Sequence, residues 1–90
     1  MLIRTQNRRN LIDMKGMSVR ACKYANSDKY SVEAYSNVHH ASCEILGIYS
    51  SNEKALMVLD MIQDAYTEGN EWLSAAGKIF VMPADEEVNV

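Results

Sequence analysis

His39, His40 and Cys43 are the one place in this sequence where metal-ligand residue types crowd together. A structural zinc site needs four ligands in closed tetrahedral geometry. The missing ligands would have to come from Cys22 and Asp28, and the chain has no Cys-x-x-Cys pair. The spacing therefore predicts exposed loop histidines and no metal. A Cys–His nucleophile is equally thin, because it needs a third orienting group and a cleft around it. Asp60 and Asp64 stand four residues apart, which puts both carboxylates on one helix face. With Glu53 and Glu68 they read as a solvated face rather than an acid–base pair. The glycines occur singly, so no phosphate-cradling loop is present. No catalytic residue is assigned, no cofactor is called for, and an enzyme is not expected.

Two other sets of residues point to binding. Arg4, Arg8, Arg9 and Arg20 carry rigid guanidinium forks suited to phosphate or carboxylate, and Arg8-Arg9 in one turn would aim two of them at one anion. Tyr24, Tyr30 and Tyr35 would offer stacking faces nearby. If these groups converge, the ligand is an anionic nucleotide or similar small molecule. Met57, Met61, Trp72 and Leu73 form the other set, apolar residues in excess of what one small sheet covers. Methionine and tryptophan favour interfaces because they fill irregular contacts.

Charge is distributed unevenly. Residues 1–23 hold Arg4, Arg8, Arg9, Lys15, Arg20 and Lys23 against Asp13, for a net of +5. Residues 24–90 hold three bases against eleven acids, for a net of −8, and the whole chain has a net charge of −3. That overall acidity disfavours non-specific nucleic-acid binding. With 48% hydrophobic and 23% charged residues, the 90-residue chain has the composition of one ordinary globular domain. No apolar run approaches the roughly 20 residues of a membrane span. The amino-terminal residues read as strand with no signal-peptide stretch, so a cytoplasmic location is expected. In that compartment Cys22 and Cys43 should remain reduced.

The elements that must position these residues follow from hydrophobic period. Leu2–Thr5 and Leu11–Met14 read as short strands, with Lys15-Gly16 as the turn after the second. In Met17–Tyr24 the residues alternate, with Met17, Val19 and Ala21 on one face and Ser18, Arg20, Cys22 and Tyr24 on the other. Tyr30, Val32 and Ala34 continue the inward face, opposite Ser31, Glu33 and Tyr35. Cys43–Tyr49 is a further strand, and Lys78–Met82 is the last. Between them Ala55, Val58, Leu59, Ile62, Ala65 and Tyr66 repeat at helical spacing. Ser50 with Glu53 three residues on reads as the capping box of that helix, and Gly69 as its stop. Asn70–Gly77 reads as a loop carrying Trp72. The expected fold is α+β: a small antiparallel sheet of four to six strands with one long helix packed on one face. Residues 1–83 form the domain and 84–90 an acidic, flexible tail.

The strand-to-helix passage Leu46-Gly47-Ile48-Tyr49-Ser50-Ser51-Asn52-Glu53-Lys54-Ala55, running into Val58-Leu59-Asp60-Met61-Ile62, resembles a group of small Firmicutes phage and mobile-element proteins. Similar proteins open with a strand ending like Thr5-Gln6-Asn7 and close with one ending like Met82-Pro83. The likeness covers about half the chain and carries no catalytic motif. It implies a phage or mobile-element setting in the host cytoplasm. The expected function is a non-enzymatic interaction protein, homo-oligomeric, that binds a host protein and interferes with host defence. The alternative is a module sequestering an anionic nucleotide signal on the arginine/tyrosine surface.

Overall fold

The computed structural model of the chain describes residues 1–38, 43–72 and 79–90, with side chains for all of these but 68–72. His39, His40 and Leu73, and the side chain of Trp72, lie outside the described residues. The elements follow as β1 (Leu2–Arg4), β2 (Leu11–Asp13), β3 (Met17–Lys23), β4 (Tyr30–Ser36), β5 (Cys43–Tyr49), α1 (Asn52–Trp72), β6 (Ile79–Val81) and a 3-10 turn at Asp85–Glu87. The architecture is α+β, with one helix packed against two three-stranded sheets, ordered β2-β1-β6 and β3-β4-β5.

The strands are divided between two sheets because the chain bends at Met14–Gly16. Gly16 adopts φ +71°, a left-handed conformation that L side chains resist. Pairing is antiparallel throughout except for β1 with β6, which run parallel.

Alternation in β3 and β4 follows the expected pattern at the apolar positions, while Ser31, expected to face outward, is fully buried. Val32 and Ala34 are fully buried beneath α1, while Met17, Val19 and Ala21 are half-buried against the same core. The helix contributes Ala55, Val58 and Ile62 to that core, the i, i+3, i+7 stripe of an amphipathic helix.

A β-bulge in β5 joins the sheets. Val32 pairs with Gly47 and Glu33 with Ile45, leaving Leu46 as the extra residue. The bulge turns Leu46 inward to 1% exposure while Ile45 stays outward at 41%. The Leu46 carbonyl accepts a hydrogen bond from the Gln6 amide at 2.7 Å. The Gln6 side chain then pairs with both backbone groups of Ile48, donating from Nε2 at 3.0 Å and accepting at Oε1 at 2.8 Å. One glutamine thus stitches the end of the first sheet to the second.

Three local expectations are corrected. The helix cap is Ser51, not Ser50: Ser51 Oγ accepts the Lys54 amide at 3.2 Å, and α1 begins at Asn52. Lysine at that third position cannot close a capping box, so Glu53 plays no such part. At its other end the helix continues through Gly69 to Trp72. Glycine is only about 1 kcal/mol worse than alanine inside a helix, so one glycine does not dictate a stop. Finally, residues 84–90 pack back on the domain. Val88 is buried in the core, and Asp85 Oδ1 accepts the Ser50 amide at 2.8 Å. Lys54 Nζ donates to the Asp85 carbonyl at 2.9 Å and lies 3.4 Å from its carboxylate. The acidity read as a tail is partly the counter-charge of this clasp.

Candidate functional site

The arginines are split between the sheets. Arg4 lies on β1, and its Nη1 donates to the Arg8 carbonyl at 3.1 Å, while Arg8 and Arg9 stand exposed in the β1–β2 turn. Arg8 holds φ +68° there, and the Asn7 side chain fixes the turn by accepting the Arg9 amide at 2.9 Å. Arg20 is on the outward face of β3 in the other sheet. Its Nη2 is 3.3 Å from Glu33 Oε1, and its guanidinium lies 5.0 Å from the centroid of the Tyr35 ring. Tyr24 closes the β3–β4 turn, where its carbonyl accepts Ser27 Oγ at 2.7 Å. Of the proposed anion set, the contacts join Arg4 to Arg8 and Arg20 to Tyr35.

Arg20 belongs to a polar network on that outward face. Ser31 Oγ donates to Glu33 Oε2 at 2.8 Å, and Cys22 Sγ is 3.6 Å from the same hydroxyl. Burial pushes the Glu33 carboxyl up, but hydrogen bonds from Ser31, Cys22 and Arg20 and the charge of Arg20 outweigh it and hold the pKa below its usual value. The carboxylate is thus kept charged and its acceptors occupied, which suits a structural ion pair rather than a proton carrier. Among the described residues no three His, Cys, Asp or Glu converge as metal ligands.

A groove of about 710 Å3 lies between α1 and the β2–β3 turn. One wall is Met1, Met14, Met17 and Val19, and the other is Leu59, Ile62 and Tyr66. Asp13, Lys15, Asn37 and Gln63 contribute polar groups. This size is within the range of ligand and peptide pockets, and the balance of apolar walls with few polar groups is typical of them. The turn wall is held in shape by backbone bonds: Met14 N–H to the Met1 carbonyl and Met17 N–H to the Met14 carbonyl, both 3.1 Å. Asn37 braces it further, donating its amide to the Gly16 carbonyl at 3.1 Å and accepting Ser18 Oγ at 2.6 Å.

The groove exists because one helix is narrower than the surface it covers. α1 packs against β3, β4 and β5, yet Met17 and Val19 at the β3 edge remain half-buried. None of the arginines singled out from the sequence lines it. Met57 and Met61, at i and i+4, are 37% and 38% exposed on the helix flank away from the groove. The groove-side flank instead exposes Leu56 at 47% and Tyr66 at 55%. A sequence signal for the groove was present in Met14-Lys15-Gly16-Met17, a turn flanked by two adaptable apolar side chains.

No family model, curated protein or solved structure matches this chain. No helix among the described residues is long and apolar enough to cross a membrane.

Proposed function

We propose that the chain is a non-enzymatic interaction module of phage or mobile-element type, which takes an apolar segment of a host protein into the groove between α1 and the β2–β3 turn. Interference with a host defence protein is the role such a module would serve. The observation that carries this reading is the groove itself, walled by methionine, leucine, isoleucine and tyrosine and open along the helix. Methionine walls suit a partner of irregular shape, since the thioether chain repacks at little cost.

The nucleotide alternative has less behind it. Arg20 is engaged by Glu33 and Tyr35 on one sheet, and Arg4, Arg8 and Arg9 belong to a hairpin of the other.

A photo-crosslinking residue tests the interaction reading. Placed at Tyr66 and expressed in bacterial host cells, it should give a discrete adduct, while the same residue at the exposed turn position Asp28 gives none. Changing Met14 and Met17 to glutamate should remove the adduct without unfolding the protein, as judged by circular dichroism. Adducts of equal yield from both positions, or none from position 66, would exclude the groove as the contact surface.

A further inference from the structure

Resting on the interaction reading above, we infer that β3 offers its open edge to an extended segment of another protein. The segment pairs antiparallel with β3 as an added strand and turns alternate apolar side chains into the groove.

The open edge follows from the ladder. Residues of an antiparallel pair alternate between turning their backbone groups toward the neighbouring strand and away from it. Asn37 N–H donates to the Gly16 carbonyl at 3.1 Å, and Tyr24 N–H to the Lys29 carbonyl at 2.9 Å. Between these two bonds the register runs unbroken from Met17 with Ser36 to Lys23 with Tyr30. Ser18, Arg20 and Cys22 therefore bond to β4, while Met17, Val19, Ala21 and Lys23 turn their N–H and C=O groups outward. The Met17 N–H is taken by the Met14 carbonyl in the turn. Among the described residues, the outward groups of Val19, Ala21 and Lys23 have no backbone partner, and β3 pairs with no strand but β4.

The other strand edges are short or covered. Open edges invite pairing, and proteins blunt them by shortening, bulging, proline or cover. β2 and β6 have three residues each, and β6 runs out at Met82-Pro83. β5 is interrupted by the Leu46 bulge, and Gln6 occupies its outer side at Leu46 and Ile48. β3 has seven residues with no bulge and no proline, and its one charge on the groove side is Lys23 at the end.

The groove lies along the same strand. Directly opposed residues of a ladder carry their side chains to one face. Residues set opposite Val19 and Ala21 would thus point to the side of Leu59, Ile62 and Tyr66. The intervening ones would lie beside Ser18, Arg20 and Cys22 on the polar face. A docked helix satisfies its own backbone and would shield the β3 groups from water without pairing them. An extended segment pairs them, which is the mode of strand addition. A second copy of this chain fits the edge less well. Pairing β3 with itself about Arg20 sets two guanidinium groups directly opposite each other, where like charges destabilise. Pairing about Ala21 sets the Lys23 of one copy over the Val19 of the other, at the groove.

Hydrogen exchange read at each amide reports on the edge directly. In the free protein Val19, Ala21 and Lys23 should exchange at least about tenfold faster than Ser18, Arg20 and Cys22. A fluorescent peptide of about nine residues, alternating leucine and glutamine, should bind by anisotropy and slow exchange at the three outward amides. In antiparallel pairing the leucines are the residues whose N–H groups meet β3. N-methylation of the leucines should therefore weaken binding about tenfold or more, while N-methylation of the glutamines leaves it unchanged. Ala21→Pro deletes one outward N–H of an edge strand, touches no groove wall, and should weaken binding likewise with circular dichroism unaltered.

Binding that tolerates both methylation patterns and Ala21→Pro, yet is lost with Met14→Glu and Met17→Glu, would overturn strand addition and leave the groove as an apolar interaction site. Sensitivity to glutamine methylation instead would overturn the antiparallel pairing. Slow exchange at the outward amides of the free protein, speeding up on dilution, would give the edge to a second copy and overturn the inference. Should the peptide not bind at all, strand addition falls, and the crosslink at Tyr66 decides the interaction reading separately.

Discussion

At the residue scale, Gly47 shows how closely side chains and backbone are fitted. A Cβ added there would come within 2.9 Å of the Tyr49 hydroxyl and 3.0 Å of its Cε2. The ring cannot swing away, because Tyr49 is fully buried and its hydroxyl donates to the Pro83 carbonyl at 2.8 Å. Burial, reinforced by Asp85 and Glu87, pushes that hydroxyl's pKa up, so it stays protonated and the bond persists. Gly47→Ala should therefore cost about 1–3 kcal/mol, the range for overpacking, measured by urea denaturation. An unchanged midpoint would mean the ring has room to move. Glu33 gives a second residue-scale expectation. Its folded pKa lies below the unfolded value of about 4.3, so its contribution is full above that pH and is lost as pH falls through the folded pKa. Stability measured from pH 7 down to pH 3 should show the gap between wild type and Glu33→Gln narrowing below about pH 4. A constant gap would show that the carboxylate's charge contributes nothing.

At the element scale, the parts of the fold with a strict period were legible and the parts that interrupt a period were not. Alternation in Met17–Lys23 and Tyr30–Ser36 placed Val32 and Ala34 inward, because a half-buried strand has one apolar side. Ser31, expected to face outward, is instead fully buried beneath the Cys22–Glu33 polar network. The bulge at Leu46 escaped notice since Ile45-Leu46-Gly47-Ile48 is apolar on both sides of it, leaving no phase to break. The helix cap was displaced by one residue for a related reason. Ser50 and Ser51 are equivalent as cap residues, and the choice is settled by Asp85, thirty-five positions away, which engages the Ser50 amide. Ser51→Ala should accordingly cost about 1 kcal/mol and Ser50→Ala less, since Ser50 holds Asp85 first through its backbone amide and only second through its side chain. Chemical denaturation of both variants checks this, and the reverse order would restore Ser50 as the cap.

At the scale of the whole molecule, the candidate site was the least legible feature. Arginine and tyrosine were read as a set because they are close in sequence, yet the Met14–Gly16 bend sends Arg4 and Arg20 to different sheets. The groove arises from the width of one helix against the strands beneath it, a property that no single segment encodes. Its central role is open to a direct reading from the protein's own methionines. Met1, Met14 and Met17 line the groove, Met57 and Met61 lie on the other flank of α1, and Met82 is buried. With [methyl-13C]methionine, an uncharged leucine/glutamine amphipathic peptide should shift the Met14 and Met17 resonances saturably and leave Met57, Met61 and Met82 in place. Shifts confined to Met57 and Met61 would move the interaction to the opposite flank of the helix, and no shift at any of them would contradict the account.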